Sequence, residues 1–326
     1  MMLLPVLASR HAVLIAAVAA AFFSRSALGE WQQDDKTLTW KNGEKTVWRF
    51  SFDTSKGKPF FDPVTVNGGP AITNFKPTDH PWHYGLWFSW KYINHVNYWE
   101  EDKITGIAGG KTAWSVPKIQ TNPDGSATIH MDVTYTDPKT GSLDMSETRD
   151  LRISAPAADG SYAIEWKAHF TAGKNGAILD RTAMPGEPNG QVNGGYAGLG
   201  VRMAGQPAVM SVVSTGGAVD KFENSRARPN APAVGCNFTK DGEEMGAIGI
   251  FSDPANIRAD APWYLINDNT TNNGEGFRFA CAAILAPKIM TLRAGETVDL
   301  HYQIALAPKA WTPESLKAEF DRWMKK

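Results

Sequence analysis

The chain is poor in cysteine, in one-sided charge and in long apolar runs, and each shortage excludes a class of protein. Two cysteines in 326 residues are too few for a disulfide scaffold or a four-cysteine zinc site. Lys and Arg number 33 against 34 Asp and Glu. That balance leaves no electrostatic case for nucleic-acid binding, which needs clustered cations to displace counterions. After residue 29 no stretch approaches the ~18 uninterrupted apolar residues of a membrane span.

The one extended apolar run lies at the start. Arg10 and His11 precede Ala12–Phe23, and Ala27-Leu28-Gly29 places small residues where a signal peptidase reads them. The run is too short to cross a bilayer, so residues 1–29 are expected to be a secretory signal peptide. Residues 30–326 then form a periplasmic or secreted protein, expected to fold as a single β-sandwich domain.

What the chain has in plenty is aromatic: 12 Trp, 15 Phe and 8 Tyr. The dominant period is two. Ile129, Met131, Val133 and Tyr135 alternate with polar residues, as do Tyr162, Ile164, Trp166, Ala168 and Phe170, and Val298, Leu300, Tyr302, Ile304 and Leu306. Such segments read as antiparallel strands with one packed and one wet face. Asp-Gly and Pro-Asp-Gly turns punctuate them. Only the C-terminus reads as helix: Thr312 suits the N-cap and Pro313 the first turn, and Leu316, Phe320, Trp323 and Met324 form one stripe. The expected fold is all-β, a large antiparallel β-sandwich of the supersandwich kind with a short C-terminal helix. Cys236 and Cys281 each fall on an apolar strand face, and two separate buried thiols are expected, although export permits a disulfide.

Chemistry concentrates in Thr78-Asp79-His80-Pro81-Trp82-His83-Tyr84-Gly85-Leu86-Trp87. Read as a strand from Trp82, it places His83, Gly85 and Trp87 on one face. A sugar ring stacks on an indole, Gly allows close approach, and His serves as acid or base. A core role for both histidines is the plain alternative. Asp79, His80 and His83 also offer a metal-ligand set, but Pro81 prevents helical presentation and no metal is the preferred reading. In 143–153 the alternation puts Glu147 and Arg149 on the apolar face, where unpaired charge is costly. They pair with each other or open into a cleft. Arg202 shares a face with Gly198 and Gly200, which leaves room for a ligand. Softer candidates are the run Asn94–Glu100 with Trp99, the loop residue Arg258, and Trp263 with Tyr264.

The runs Asp79–Trp87, Asn97–Glu100 and Ser252–Arg258 resemble a family of secreted bacterial proteins labelled "methane oxygenase PmoA"-like, and the resemblance spans most of residues 30–326. The label itself does not fit, because such an oxygenase subunit is an integral membrane protein. Members often accompany sugar-processing genes, and the family is similar to β-supersandwich sugar enzymes such as galactose mutarotase. The chain departs from the pattern in two places. Trp82-His83-Tyr84-Gly85 stands where the family has His-His-Arg-Gly, and Trp263-Tyr264-Leu265 where it has Trp-His followed by Arg.

Together these readings point to a carbohydrate-active enzyme needing no cofactor. His83 would be the principal acid or base, with His80 as its partner. Glu147 and Arg149 complete the catalytic set. Asp79, Tyr84, Trp87, Trp99, Arg202, Arg258, Trp263 and Tyr264 would bind a sugar or glycan. A non-catalytic sugar-binding protein and a metal-dependent hydrolase using Asp79, His80 and His83 are the alternatives.

Overall fold

In the computed structural model, which describes residues 29–205, 208–270 and 275–326, the period-two segments are strands. Residues 1–28, all but the last of the expected signal peptide, lie outside the described residues. Ala127–Asp137, Ser142–Ile153, Tyr162–Ala172 and Thr297–Ala307 pair in that order, all antiparallel. They are four strands of a ten-stranded sheet that continues through Glu243–Ser252, Ala233–Lys240 and Val209–Ser214. Against it packs a nine-stranded sheet whose successive strands include Leu86–Ser89, Gly198–Met203, Phe277–Ala282 and Trp263–Asp268. The architecture is a large antiparallel β-sandwich with one short C-terminal helix among the described residues.

The aromatic load fills the space between the sheets. Phe61 meets Trp166 across the gap at 6.4 Å between ring centroids, and Phe88 meets Phe170 at 5.1 Å. Each such ring, taken wholly out of water, contributes about 2–3 kcal/mol before its ordering entropy is charged against it. Both cysteines are free, buried thiols. Cys236 lies in the ten-stranded sheet and Cys281 in the nine-stranded one.

Alternation misplaces two groups of residues. Leu143 was expected on the packed face but is 44% exposed, while Asp144 is buried. A bulge is responsible: Tyr135 pairs with Met145 but the next residue, Thr136, pairs with Leu143, so Asp144 is extra and turns inward. There it accepts from the Tyr98 hydroxyl at 2.7 Å and from Asn94 at 2.9 Å. On the far side, Gln303 and Ala305 read as wet but are buried. The helix Pro313–Trp323 covers them, with Leu316 and Trp323 packing on Phe251 and Ala305. Thr312 caps that helix reciprocally with Ser315. Met324 ends it and is 38% exposed, outside the expected stripe, whereas Glu319 is buried and accepts from Gln303 at 2.9 Å.

Candidate active site

The histidine segment is not a strand until Leu86. Residues 77–83 turn twice, with His80 donating its N–H to Pro77 and His83 donating to His80. Gly85 then adopts φ of +68°, and a Cβ there would stand 2.5 Å from the Phe61 carbonyl oxygen. A side chain is therefore excluded on two counts. The kink breaks the alternation, so Trp82 and His83 border one cavity although a strand would part them. Tyr84 joins the aromatic group on the outward face of the nine-stranded sheet, whereas Leu86 enters the inter-sheet core.

That outward face carries Trp87, Gly200, Arg202, Phe279, Cys281, Tyr264 and Ile266 from neighbouring strands. Above it lies a cavity of about 300 Å³ bordered by His80, Trp82, His83, Trp99, Glu100, Asn193, Tyr196, Arg226, Tyr264, Ile266, Phe277 and Phe279. Its size and mixed lining suit one small polar ligand.

A linear chain of three side chains reaches this cavity. Arg202, fully buried with its guanidinium 4.1 Å from the Phe277 ring centroid, donates to Asp79 at 2.9 Å. The other Asp79 oxygen lies 2.9 Å from Nδ1 of His80. Burial pushes the Asp79 carboxyl up, but His80 and the Arg202 charge outweigh it and hold the group below the usual carboxylate range. An ionised carboxylate has no proton to give, so Nδ1 of His80 is the donor in this contact. His80 retains 32% side-chain exposure and is the accessible imidazole of the pair.

His83 is different. It is 3% exposed, stacks on Phe279 at 5.1 Å, and packs against Trp87 and His80. Burial drives its pKa well below the usual histidine value, with His80, Arg202 and Lys58 adding to the effect. It is a neutral wall residue at neutral pH. Its Nδ1 has no hydrogen-bond partner among the described residues.

Glu100 stands on the same cavity. Asn97 accepts from the backbone N–H groups of Trp99 and Glu100 at 2.9 and 3.0 Å, which fixes the turn presenting both. The Glu100 carboxylate is held by Lys91, by Asn97 at 2.6 Å and by the Tyr196 hydroxyl at 2.6 Å. Burial raises its pKa, but the Lys91 charge and these donors bring it below the ordinary value. The run Asn94–Glu100 hinted at this residue. Tyr196, Arg226, Phe277, Phe279 and Asn193 carried no signal, because loops and strands far apart in sequence bring them in.

Several expected site residues lie elsewhere. Glu147 and Arg149 do not join the cavity. They face the inter-sheet core, paired at 2.5 and 2.9 Å, with the Tyr135 hydroxyl on Glu147 at 2.6 Å and Trp166 under the guanidinium. Mutual neutralisation makes their inward position affordable. Trp87 is fully buried beneath His83 and offers no stacking face. The space beside Gly200 is filled, since Trp87, Trp99 and Phe279 atoms would each lie 3.3 Å from a Cβ there. Arg202 therefore acts through Asp79 and not on a ligand beside the glycine. Tyr84 donates to Glu101 at 2.6 Å within a cluster that includes Lys58 and Lys76. Trp263 points into the inter-sheet core and donates to Ala231. Arg258 holds the carbonyls of Lys288 and Ile289. Of the expected residues, Asp79, His80, His83, Trp99, Arg202 and Tyr264 are brought together.

The alternative metal set of Asp79, His80 and His83 does not assemble as a group of donors among the described residues. Both oxygens of Asp79 and Nδ1 of His80 are consumed within the chain to Arg202, and the described residues hold no group of three metal-type donors.

A family model described as "Family of unknown function (DUF6807)" matches residues 37–321. The chain belongs to this family. Nothing in the match supports the methane-oxygenase label. No curated protein matches the chain. Among solved structures it is similar to a GH36 α-galactosidase from Geobacillus stearothermophilus (8% identity, TM-score 0.47), covering 86% of this chain and 41% of that one. It is also similar to a putative mutarotase from Salmonella typhimurium (9% identity, TM-score 0.46; 86% and 94% covered). A putative aldose 1-epimerase from Klebsiella pneumoniae gives 8% identity and TM-score 0.43, with 91% and 86% covered. The chain thus spans about two fifths of the galactosidase. Among the described residues no helix is long and apolar enough to cross a membrane.

Proposed function

We propose that this family member is an exported carbohydrate-active enzyme using metal-independent acid/base chemistry at a sugar carbon, with His80 moving the proton. The reaction is glycosidic cleavage by hydrolysis or elimination, or epimerisation. The observation that carries the reading is the chain Arg202–Asp79–His80, which ends at a partly exposed imidazole on an aromatic cavity. Asp79 fixes the tautomer with Nε2 unprotonated and stabilises the imidazolium once a proton is taken. Arg202 keeps Asp79 ionised and in place. His83, neutral and stacked behind His80, holds the ring where it is. Glu100 supplies a second carboxylate, and Trp82 and Tyr196 offer faces for the sugar ring.

The test is turnover and binding on a glycan panel with wild type, His80→Asn, Asp79→Asn and Glu100→Gln, each with and without chelator. His80→Asn is expected to lower turnover by ~10²–10⁴-fold with little change in affinity, the ordinary contribution of a positioned general base. Asp79→Asn should lose much of the same factor through the wrong tautomer, and chelator should do nothing. Full turnover in His80→Asn would remove the assigned base. Tight binding with no turnover of any sugar would make the protein a binding module.

A further inference from the structure

We propose that the cavity selects a sugar bearing a carboxylate, a uronate, and that Arg226 is the residue that reads it. This rests on the carbohydrate reading above and narrows it. The charges around the cavity are otherwise matched inside the protein. Asp79 faces Arg202 and His80, and Glu100 faces Lys91. Arg226 borders the same cavity, yet its contacts are to uncharged acceptors. Nε donates to the Tyr264 hydroxyl at 3.1 Å and Nη1 to the Asn224 carbonyl at 2.6 Å.

A second guanidinium reinforces the first. Arg228 lies 4.4 Å from the centroid of the same Tyr264 ring. Its Nη2 donates to the Gly194 carbonyl at 2.6 Å, so it also holds the loop that brings Asn193 to the cavity. Its Nη1 is buried without a hydrogen-bond partner among the described residues. Two cations thus flank one tyrosine, and among the described residues their hydrogen bonds go to neutral groups. Like charges held this close raise each other's energy, and a ligand carboxylate relieves both. A guanidinium fork matches a carboxylate with two parallel N–H donors, and a neutral hexose has no group of that charge. The arrangement also gives the ring a direction: its acidic substituent toward Arg226 and Tyr264, its remainder toward Trp82 and His80.

Titration calorimetry on the full chain tests this with glucuronate and galacturonate, their methyl esters, the matching neutral hexoses and a sulfated hexose. Wild type should bind at least one uronate about 10- to 100-fold more tightly than its methyl ester, the worth of a charge-assisted hydrogen-bond pair. The preference should shrink as salt is raised. Arg226→Gln should abolish it, and Arg226→Lys should retain part. Arg293→Gln, at an exposed arginine that does not border the cavity, removes one positive charge elsewhere on the chain and should keep the preference. Equal binding of ester and acid, tighter binding of the sulfated sugar, or an unchanged preference in Arg226→Gln would each overturn the proposal. Neutral sugars turned over with His80 dependence but no Arg226 dependence would sink it and leave the enzyme reading standing. Uronate binding through Arg226 with no turnover would do the reverse.

Discussion

His83 shows how far surroundings decide what a side chain can do. Its neighbour His80 has the same ring, but one nitrogen is answered by Asp79 and the ring keeps access to the cavity. His83 is enclosed by Trp87, Phe279 and His80, and the dry enclosure opposes its charged form. The consequence for stability has a definite sign. In the unfolded chain the imidazole takes up a proton near its ordinary pKa, whereas the folded protein resists it. Between the depressed folded pKa and about 6.5 the unfolded state binds more protons, so stability falls as pH drops through that window. His83→Phe keeps an aromatic ring in the stack and removes the titration. Melting curves from pH 7.5 to 5 should show the wild type losing more stability on acidification than the variant. Equal slopes would mean that His83 does not titrate differently on folding. Sequence placed a histidine pair in the site but gave the leading role to His83, because residue type does not report which ring the fold will bury.

At the scale of elements, the strand Ser142–Ile153 is the instructive case. Its pattern declared that Glu147 and Arg149 point with the apolar residues, and they do. What the pattern left open was whether that face is a cleft or a core. The tertiary arrangement puts it between sheets, with Tyr135 and Trp166 completing a closed ionic group. Arg149→Met alone should therefore cost ~3–5 kcal/mol in urea unfolding, because the Glu147 charge is left buried and unpaired. Glu147→Leu combined with Arg149→Met should recover a large part of that loss. Neither variant should alter sugar affinity per folded molecule. A loss of affinity in the stable double variant would return these residues to the site. The bulge at Asp144 and the left-handed Gly85 are where alternation fails, and in both one residue's backbone reverses every face beyond it. Gly85 could be read as permissive. That it must be glycine depends on the Phe61 carbonyl, which a neighbouring strand supplies.

On the scale of the whole molecule, stability comes from two sheets closing over aromatic side chains and owes nothing to covalent cross-links among the described residues. Both thiols are pushed up to about 12 by burial, which makes them poor nucleophiles. A reducing agent should accordingly leave the melting temperature unchanged, and a thiol reagent should label neither cysteine until the protein unfolds. A drop in melting temperature on reduction would reveal a disulfide. The sequence by itself determined the class of fold, since period-two alternation in strands of about a dozen residues admits little but a half-buried antiparallel sheet. It also determined the capped C-terminal helix and the pairing need of Glu147 and Arg149, and it singled out a segment that borders the candidate cavity. Local pattern is enough for these, because each depends on residues a few positions apart. The membership of the cavity was decided only by tertiary structure. Asp79 meets Arg202 across 123 positions and Glu100 meets Tyr196 across 96. Which strands lie side by side depends on the packing of both sheets at once, and no period along the chain records it.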